Sequence, residues 1–249
     1  VQNAITEKTG LISIMLANNE MGTLQPIAEI AAIANKYKII MHTDAVQTLG
    51  KIPVNSKELG ADCMSFSAHK FYGPKGVGAL FIKKDLKLKP LIIGGNQERR
   101  MRAGTENTSG ISGLGLAAEL ATNNLHKTQS HLISLTHAFK AQITHIYPEV
   151  IFNGHPEKQL PGLVNVSFPR FRNDLLMIHL DRQGIAVSSG SACSSGDIKP
   201  SRILSSMGIT DDINNSTLRI SFGIDNSLQD MEYLIKCFKS TFERIRSAV

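Results

Sequence analysis

Residues 10–43 read GLISIMLANNEMGTLQPIAEIAAIANKYKIIMHT, two apolar runs separated by an amphipathic segment. The first run, residues 10–17, predicts a buried strand, and the second, residues 38–43, predicts another. Between them, Pro26 opens a segment in which apolar residues recur at positions 27, 30, 31 and 34, the spacing of one helix face. Strand, helix and strand in succession predict an α/β layer with a mainly parallel sheet.

The second half of the chain has a different pattern. The first half has two further predicted strands, at residues 63–67 and 77–83, and the second half has predicted strands at residues 163–168 and 217–222. A helical stretch is predicted from about residue 111, and the last helix from Ser227, whose spacing to Asp230 is that of a capping box. The apolar helix faces comprise Leu132, Leu135, Phe139, Ile143 and Ile146, and then Met231, Leu234, Phe238 and Ile245. We therefore expect a large domain over residues 1–125 and a smaller C-terminal α+β domain over residues 126–249.

The composition is that of an ordinary globular protein. Of 249 residues, 42% are hydrophobic and 19% are charged, which excludes a disordered chain, collagen and a coiled coil. No apolar run reaches the roughly 18–20 residues of a membrane span, so we expect a soluble protein without a membrane partner. The net charge is 27 − 21 = +6, with the excess concentrated in residues 51–100. This basic region could bind a phosphorylated ligand or an acidic protein, or simply be solvated surface, and no nucleic-acid-binding motif accompanies it.

The three cysteines do not indicate a disulfide framework or a zinc site. Cys63, Cys193 and Cys237 are odd in number and widely spaced. The histidine spacings do not suit two ligands on one helix face, so we expect no metal site. Cys63 in a predicted strand and Cys237 in a predicted helix are expected to be core thiols. Cys193 lies in SSGSACSSG, residues 188–196, an exposed small-residue loop that could present a reactive thiol or be a linker with an incidental cysteine.

Polar residues follow three of the predicted strands. They are Asn18, Asn19 and Glu20 after the first, Asp44 and Gln47 after the second, and Ser67, His69 and Lys70 after the third. Each set alone could be a helix cap or a solvated loop. Because ligands of open α/β sheets bind at the carboxyl ends of the strands, the three sets together predict a site.

Arg219 lies in the apolar strand pattern TLRISFG, residues 217–223. A guanidinium there is costly to bury unless it contacts an anion, and its fork suits a carboxylate. The alternative is an outward-facing arginine on an alternating strand.

The motifs together resemble one family. SFSAHKFYGPKG at residues 65–76, HTDAVQ at residues 42–47 and SGSAC at residues 189–193 resemble cysteine desulfurases of the NifS/IscS type, which are pyridoxal-phosphate enzymes of the class V aminotransferase fold. The resemblance covers essentially the whole chain. It implies a PLP-transferase (aminotransferase-like) large domain and a covalent bond between Lys70 and pyridoxal 5'-phosphate.

The resemblance also implies roles for the other cofactor-binding residues. Asp44 pairs with the pyridine nitrogen, and Gln47 contacts the ring hydroxyl oxygen. Ser67 and His69 bind the phosphate. A further phosphate ligand comes from the neighbouring subunit, from the motif RAGTEN at residues 102–107, which points to Thr105 and to a homodimer.

The implied reaction converts L-cysteine to L-alanine. Asn19 and Arg219 bind the substrate carboxylate, Asn19 also being placed to contact the cofactor, and the thiolate of Cys193 takes the sulfur as a persulfide. A sulfur-acceptor or scaffold protein then receives it for iron-sulfur clusters or thiolated cofactors. A cytoplasmic location, or the matrix of an organelle of bacterial type, is expected.

The sequence starts at Val1 without the glycine and serine or threonine loop, or the stacking histidine, that the resemblance leads us to expect before this point. We therefore expect a chain that lacks its N-terminal part, with weakened cofactor binding. Two alternatives stay open: a selenocysteine lyase, and a noncatalytic interaction or sulfur-relay module.

Overall fold

The apolar run after Gly10 forms a strand of a four-stranded sheet in the computed structural model, which describes residues 1–190 and 200–247. The strands are β1 (Leu11–Met15), β2 (Ile40–Asp44), β3 (Cys63–Ser67) and β4 (Gly78–Ile82), in that order across the sheet. β1, β2 and β3 are parallel neighbours, and β4 pairs antiparallel with β3. The predicted α/β architecture and its mainly parallel sheet are confirmed.

The helix between β1 and β2 buries the apolar face from which it was predicted. α1 (Ile27–Lys36) begins directly after Pro26 and buries all four residues of its predicted face, Ile27, Ile30, Ala31 and Ala34. These side chains pack with Ile12, Met41 and Met64 of the strands. A short helix, α2 (Ser56–Leu59), which the sequence analysis missed, precedes β3. A longer helix, α3 (Thr108–Asn123), follows β4.

A second sheet is formed by the second half of the chain. It contains β5 (Ile151–Phe152), β6 (Leu163–Ser167) and β7 (Thr217–Ser221), paired antiparallel in that order. The helices are α4 (Leu125–Ile146), α5 (Asn173–Asp181), α6 (Arg202–Ser206), α7 (Asp211–Asn214) and α8 (Leu228–Ser247). Aromatic side chains fill the core, with Phe139, Phe168 and Phe238 fully buried. The predicted strands and long helices are confirmed. The two- to five-residue elements β5, α6 and α7 were missed because so few residues do not establish a period, and the nine-residue α5 was also not predicted.

The described residues divide into two units, and the division is discontinuous in sequence. One unit contains Val1–Ala17 and Gln25–Leu125, and the other contains Asn18–Leu24 and His126–Val249. The segment after β1 is therefore part of the second unit although it is flanked by residues of the first. The assignment of domains to residues 1–125 and 126–249 stays a prediction.

The capping box predicted at the start of α8 is present. The Ser227 N–H donates to Asp230 Oδ2 at 2.7 Å, and the Asp230 N–H donates to Ser227 Oγ at 3.1 Å. The two residues thus satisfy backbone donors that the first turn of a helix leaves unpaired. Met231, Leu234 and Phe238 are buried as predicted, and Ile245 is only partly buried.

We expect the Asp230→Ala variant to lose a pH-dependent part of its stability. Hydrogen bonds from the Ser227 backbone N–H, and then from the Ser227 hydroxyl, lower the pKa of Asp230 in the folded protein. A carboxyl group whose pKa is lower in the folded than in the unfolded state stabilises the folded protein at pH values above its unfolded-state pKa of about 3.9. This stabilisation is lost as the pH falls through the folded-state pKa. Thermal unfolding should show a higher Tm for the parent at neutral pH and equal Tm values near pH 2. Asp225→Ala, an exposed acid before the helix, is the control, and a gap that stays constant with pH would contradict the prediction.

Across residues 1–190 and 200–247, no helix combines the length and the apolar character that crossing a bilayer requires.

Candidate active site

The carboxyl ends of β2 and β3 meet at one edge of the first sheet. Asp44, the last residue of β2, pairs in register with Ser65, and β3 continues to Ser67. Because the strands are parallel, the residues that follow them emerge at the same edge. The Asp44 side chain is half-buried, and its Oδ1 accepts a hydrogen bond from the Val46 N–H at 2.8 Å. The parallel pairing of β2 and β3 therefore brings the residues that follow these two strands to the same edge of the sheet.

A chain of polar side chains crosses three strands close to this edge. His42 Nδ1 lies 2.8 Å from Ser13 Oγ, and His42 Nε2 lies 3.2 Å from Ser65 Oγ. His42 and Asp44 are two residues apart on β2 and so share a face of the sheet. His42 lies within the motif HTDAVQ, residues 42–47, and no role was predicted for it from the sequence. Its position two residues before Asp44 on the same strand was the feature of the sequence that could have indicated a shared face.

The candidate lysine lies on a short 3₁₀ turn, Ala68–Phe71, directly after β3. Lys70 is half-buried and His69 is exposed, and the two side chains follow each other on this turn. Ser67 Oγ and His69 Nδ1 are hydrogen-bonded at 2.8 Å. The Ala68 N–H donates to the Val77 carbonyl at 3.1 Å, which connects the turn to the start of β4. An amine, an imidazole and a hydroxyl are therefore gathered at the end of one strand.

The turn is supported from behind by α3. Ala68 is fully buried, and Phe71 and Ala117 are 3% and 8% exposed, so the three side chains form a small apolar cluster. Gly73 closes the turn by donating its N–H to the Ala68 carbonyl at 2.9 Å. A Cβ on Gly73 would lie 2.9 Å from the Ala68 Cβ, 3.0 Å from the Ala68 carbonyl and 3.1 Å from the Ala117 Cβ. Only glycine fits without a shift of the backbone that carries Lys70.

Gly73→Ala should therefore destabilise the protein by about 1–3 kcal/mol, the usual cost of overpacking a tight contact. Chemical denaturation measures this change. Gly115→Ala on α3 is the matched control, since nothing lies within 4 Å of a Cβ built there. We expect the control to gain about 0.5–1 kcal/mol because alanine favours the helix. Equal stability of the two variants would contradict the proposed crowding at the turn.

Arg219 and Asn19 lie together in the second unit. Arg219 Nη1 donates to the Asn19 carbonyl at 3.1 Å, and both residues are half-buried. Asn19 is presented by a tight turn in which Asn18 Oδ1 accepts the N–H groups of Glu20 and Met21, each at 2.9 Å. The side chain of an asparagine at the start of such a turn replaces a backbone acceptor. The two predicted carboxylate-binding residues are therefore in direct contact.

The remaining predicted residues are distributed as follows. Gln47 is half-buried in the segment after β2, and Thr105 is exposed in the segment before α3. Cys193 lies outside the described residues. Cys63 and Cys237 are both buried, as predicted for core thiols. Burial, and then the charge of Asp62, raises the pKa of the Cys63 thiol, which disfavours the nucleophilic thiolate.

Within the part of the chain that the structure describes, no cluster of three or more His, Cys, Asp or Glu side chains is arranged to hold a metal ion. Glu20 was predicted only as one residue of the polar run after β1, without a role of its own. This side chain is 8% exposed and hydrogen-bonded, and no local pattern distinguishes it from Asn18 or Asn19.

Comparison with known proteins shows similarity to one family over most of the chain. Residues 1–234 match the family described as aminotransferase class V. The chain is 44% identical over 247 residues to a cysteine desulfurase IscS of Dictyoglomus turgidum. The aligned region covers 99% of this chain and 63% of that protein. A cysteine desulfurase IscS of Methanosarcina thermophila is 43% identical, with 99% and 61% covered.

Solved structures agree with this assignment. A NifS-like protein from Rickettsia africae superposes with a TM-score of 0.88 at 34% identity, covering 97% of this chain and 64% of that chain. A cysteine desulfurase from Thermococcus onnurineus, described as an apo structure, superposes with a TM-score of 0.81 at 26% identity, covering 93% and 59%. The chain thus spans about three fifths of the length of these relatives. With the family match extending over nearly its whole length, the chain belongs to the class V aminotransferase family.

Proposed function

We propose that this chain carries the cofactor lysine and the sulfur-accepting cysteine of a pyridoxal-phosphate-dependent cysteine desulfurase. The observation that carries the proposal is the meeting of Asp44 and the Lys70 turn at one edge of the parallel strands β2 and β3. The names of the relatives, cysteine desulfurase IscS and NifS-like protein, support the choice of reaction.

The donor set suits pyridoxal phosphate. This cofactor presents an aldehyde, a basic ring nitrogen, a ring hydroxyl and a phosphate monoester. The first unit offers an amine on Lys70, a half-buried carboxylate on Asp44 and the hydrogen-bonded Ser67–His69 pair at the same sheet edge. Each of these groups has the charge or the hydrogen-bonding capacity that one part of the cofactor requires. When bound, the cofactor supplies an electron sink for negative charge at the substrate α-carbon.

The chain's own residues have distinct tasks in this proposal. Lys70 Nζ would hold the cofactor in the resting protein and, once its amine is free again, would move the α-proton of the substrate. The Asp44 carboxylate keeps a proton on the ring nitrogen by charge pairing. The Gln47 amide contacts the ring hydroxyl oxygen.

The phosphate is held by the Ser67 hydroxyl and the His69 imidazole. Thr105 of the neighbouring subunit adds a third donor in a homodimer. Residues 1–125 would then form part of the cofactor-binding domain, and residues 126–249 the smaller domain with the reactive cysteine.

Substrate binding is assigned to Arg219 and Asn19. The guanidinium of Arg219 suits two-point contact with the carboxylate of L-cysteine. Its contact with the Asn19 carbonyl orients the side chain, so that the Asn19 amide and the guanidinium act on one substrate group.

The sulfur is transferred to Cys193. The thiolate attacks the substrate sulfur, the carbon–sulfur bond of L-cysteine breaks, and a sulfur–sulfur bond forms. The products are L-alanine and a Cys193 persulfide, so thiol plus cysteine balances persulfide plus alanine. An acceptor or scaffold protein of an iron-sulfur or thiocofactor pathway then takes the persulfide sulfur, in the cytoplasm or an equivalent matrix.

The test is peptide mass spectrometry in two steps. The protein is incubated with pyridoxal phosphate and reduced with borohydride, and we expect a phosphopyridoxyl group on Lys70. A second sample, given cofactor and L-cysteine, should carry a persulfide on Cys193 and release L-alanine. Cys193→Ser should keep the Lys70 adduct and form no persulfide. Parent-level sulfide release by this variant would overturn the nucleophile assignment, and a strong preference for selenocysteine would indicate a selenocysteine lyase instead.

A further inference from the structure

Asn19 is presented by a turn of the second unit, residues 18–24, which we call the Asn19 turn. The Asn18 N–H donates to the Thr23 carbonyl at 3.0 Å and so closes the turn on itself. Because Arg219 Nη1 contacts the Asn19 carbonyl, a tilt of this turn would move the two proposed carboxylate-binding residues relative to each other. Whatever supports the turn therefore bears on substrate binding.

The loop between β5 and β6, residues 153–160, is paired with the Asn19 turn. An antiparallel bridge joins Thr23 to Gln159. Backbone hydrogen bonds from N–H to carbonyl flank this bridge on both sides, from Leu24 to Lys158 at 2.9 Å and from Leu160 to Gly22 at 2.7 Å. The start of the loop also contacts Thr23, since the His155 N–H donates to Thr23 Oγ1 at 3.2 Å and a Cβ built on Gly154 would lie 3.0 Å from the same oxygen. The loop thus holds the turn at both of its own ends.

The Gln159 side chain closes the loop and contacts α4. Its Nε2 donates to the Asn153 carbonyl at 3.3 Å, and its Oε1 accepts from Lys140 Nζ at 2.9 Å. Asn153 is buried, and its Nδ2 donates to Asn165 Oδ1 of β6 at 2.8 Å. Gln159 therefore connects the Asn19 turn to the second sheet on one side and to a long helix on the other.

Lys140 brings a charge into a half-buried position. Its Nζ lies 5.4 Å from the centroid of the Phe152 ring, and burial lowers the pKa of the amine. Across residues 1–190 and 200–247, no carboxylate forms an ion pair with it. Burying an amine without a carboxylate partner costs free energy, so an apolar side chain would satisfy packing alone. What the amine adds at this position is its hydrogen bond to the Gln159 carboxamide.

We propose that Lys140 and Gln159 are positioning residues that hold the Asn19 turn in place for binding of the substrate carboxylate. The proposal rests on the proposed function and extends its substrate site to residues that act on the substrate only through this turn. The Lys140 amine fixes the Gln159 side chain, and the Gln159 backbone is bridged to Thr23 of the turn. Since hydrogen bonds to a carboxylate weaken steeply when the donor is misaligned, a displaced turn binds the substrate less tightly.

The experiment compares Lys140→Met with Lys140→Arg in the full chain. Lys140→Met removes the amine and keeps an unbranched side chain of similar length, whereas Lys140→Arg keeps charged donors for Gln159 Oε1. Amide hydrogen exchange, followed by peptide mass spectrometry without cofactor, reports on residues 18–24 and 153–160. With pyridoxal phosphate bound, KM and kcat are measured for L-alanine formation from L-cysteine.

For Lys140→Met we expect amide exchange in both segments to become about 5-fold faster or more, because the loop opens more often. KM for L-cysteine should rise about 10-fold while kcat stays within about 3-fold, since the turn acts on binding of the carboxylate and not on proton or sulfur transfer. Lys140→Arg should return exchange and KM to within about 3-fold of the parent. Lys127→Met, which replaces an exposed lysine on the same helix, is the matched control and should leave both unchanged.

Gln159→Ala removes the acceptor of the same hydrogen bond and is judged by the same criteria if Lys140→Met does not fold. A merely structural role would make exchange faster in α8 as well and would lower kcat, and that result would overturn the proposal. Unchanged exchange in residues 18–24, or failure of Lys140→Arg to restore it, would also overturn it. If the parent forms no L-alanine, the proposed function fails, and the exchange rates alone still decide whether Lys140 positions the turn.

Discussion

Replacing Lys70 with alanine is expected to abolish covalent attachment of pyridoxal phosphate and to lower L-alanine formation by about 10³-fold or more. Positioned acid–base groups contribute about 10²- to 10⁴-fold, and Lys70 is assigned both the attachment and the proton transfer. No other amine lies on the 3₁₀ turn at the end of β3. The measurements are the phosphopyridoxyl peptide after borohydride reduction and the alanine released from L-cysteine.

Lys75→Ala is the control for this prediction. Lys75 is exposed on the loop before β4, five residues from Lys70, and carries the same charge. We expect this variant to keep the adduct and the activity. A phosphopyridoxyl adduct that still forms in Lys70→Ala, or that is found on Lys75 instead of Lys70 in the parent, would refute the assignment of the cofactor lysine.

The largest effect on stability is expected for Phe238→Ala. The Phe238 ring is fully buried in the second unit, with ring centroids at 5.0 Å from Phe168, 5.6 Å from Phe242 and 6.3 Å from Phe139. Truncating a buried phenylalanine removes its transfer free energy and leaves a cavity, at a cost of about 3–5 kcal/mol. This is a large part of the roughly 5–15 kcal/mol by which a typical domain is stable.

Urea denaturation followed by far-ultraviolet circular dichroism measures the loss. Lys239→Ala, the exposed neighbour on the same helix, should change the free energy of unfolding by no more than about 0.5 kcal/mol. Phe238→Leu should cost less than Phe238→Ala because it leaves a smaller cavity. A loss below about 1 kcal/mol for Phe238→Ala would show that this aromatic cluster is not the core of the unit.

Much of the first sheet could be predicted from local pattern. The apolar run at residues 10–17 and the 27, 30, 31, 34 spacing of α1 are recorded within short windows of sequence, and both proved accurate. The capping box at Ser227 and Asp230 was equally readable, since both partners lie within one helical turn. Short elements such as α6, with five residues, and β5, with two, were missed because so few residues do not establish a period.

Residue types and their order along the chain were enough to indicate the fold class, the long helices and the two strand ends at which Asp44 and Lys70 stand. Tertiary structure alone decided that Asn18–Leu24 belongs to the second unit, that Arg219 contacts the Asn19 carbonyl, and that Glu20 meets Ser201. The physical reason is the separation of the interacting residues along the sequence. Periodicity and capping act over a few residues, whereas a hydrogen bond across 181 positions depends on how sheets and helices pack and leaves no mark on its neighbours in sequence.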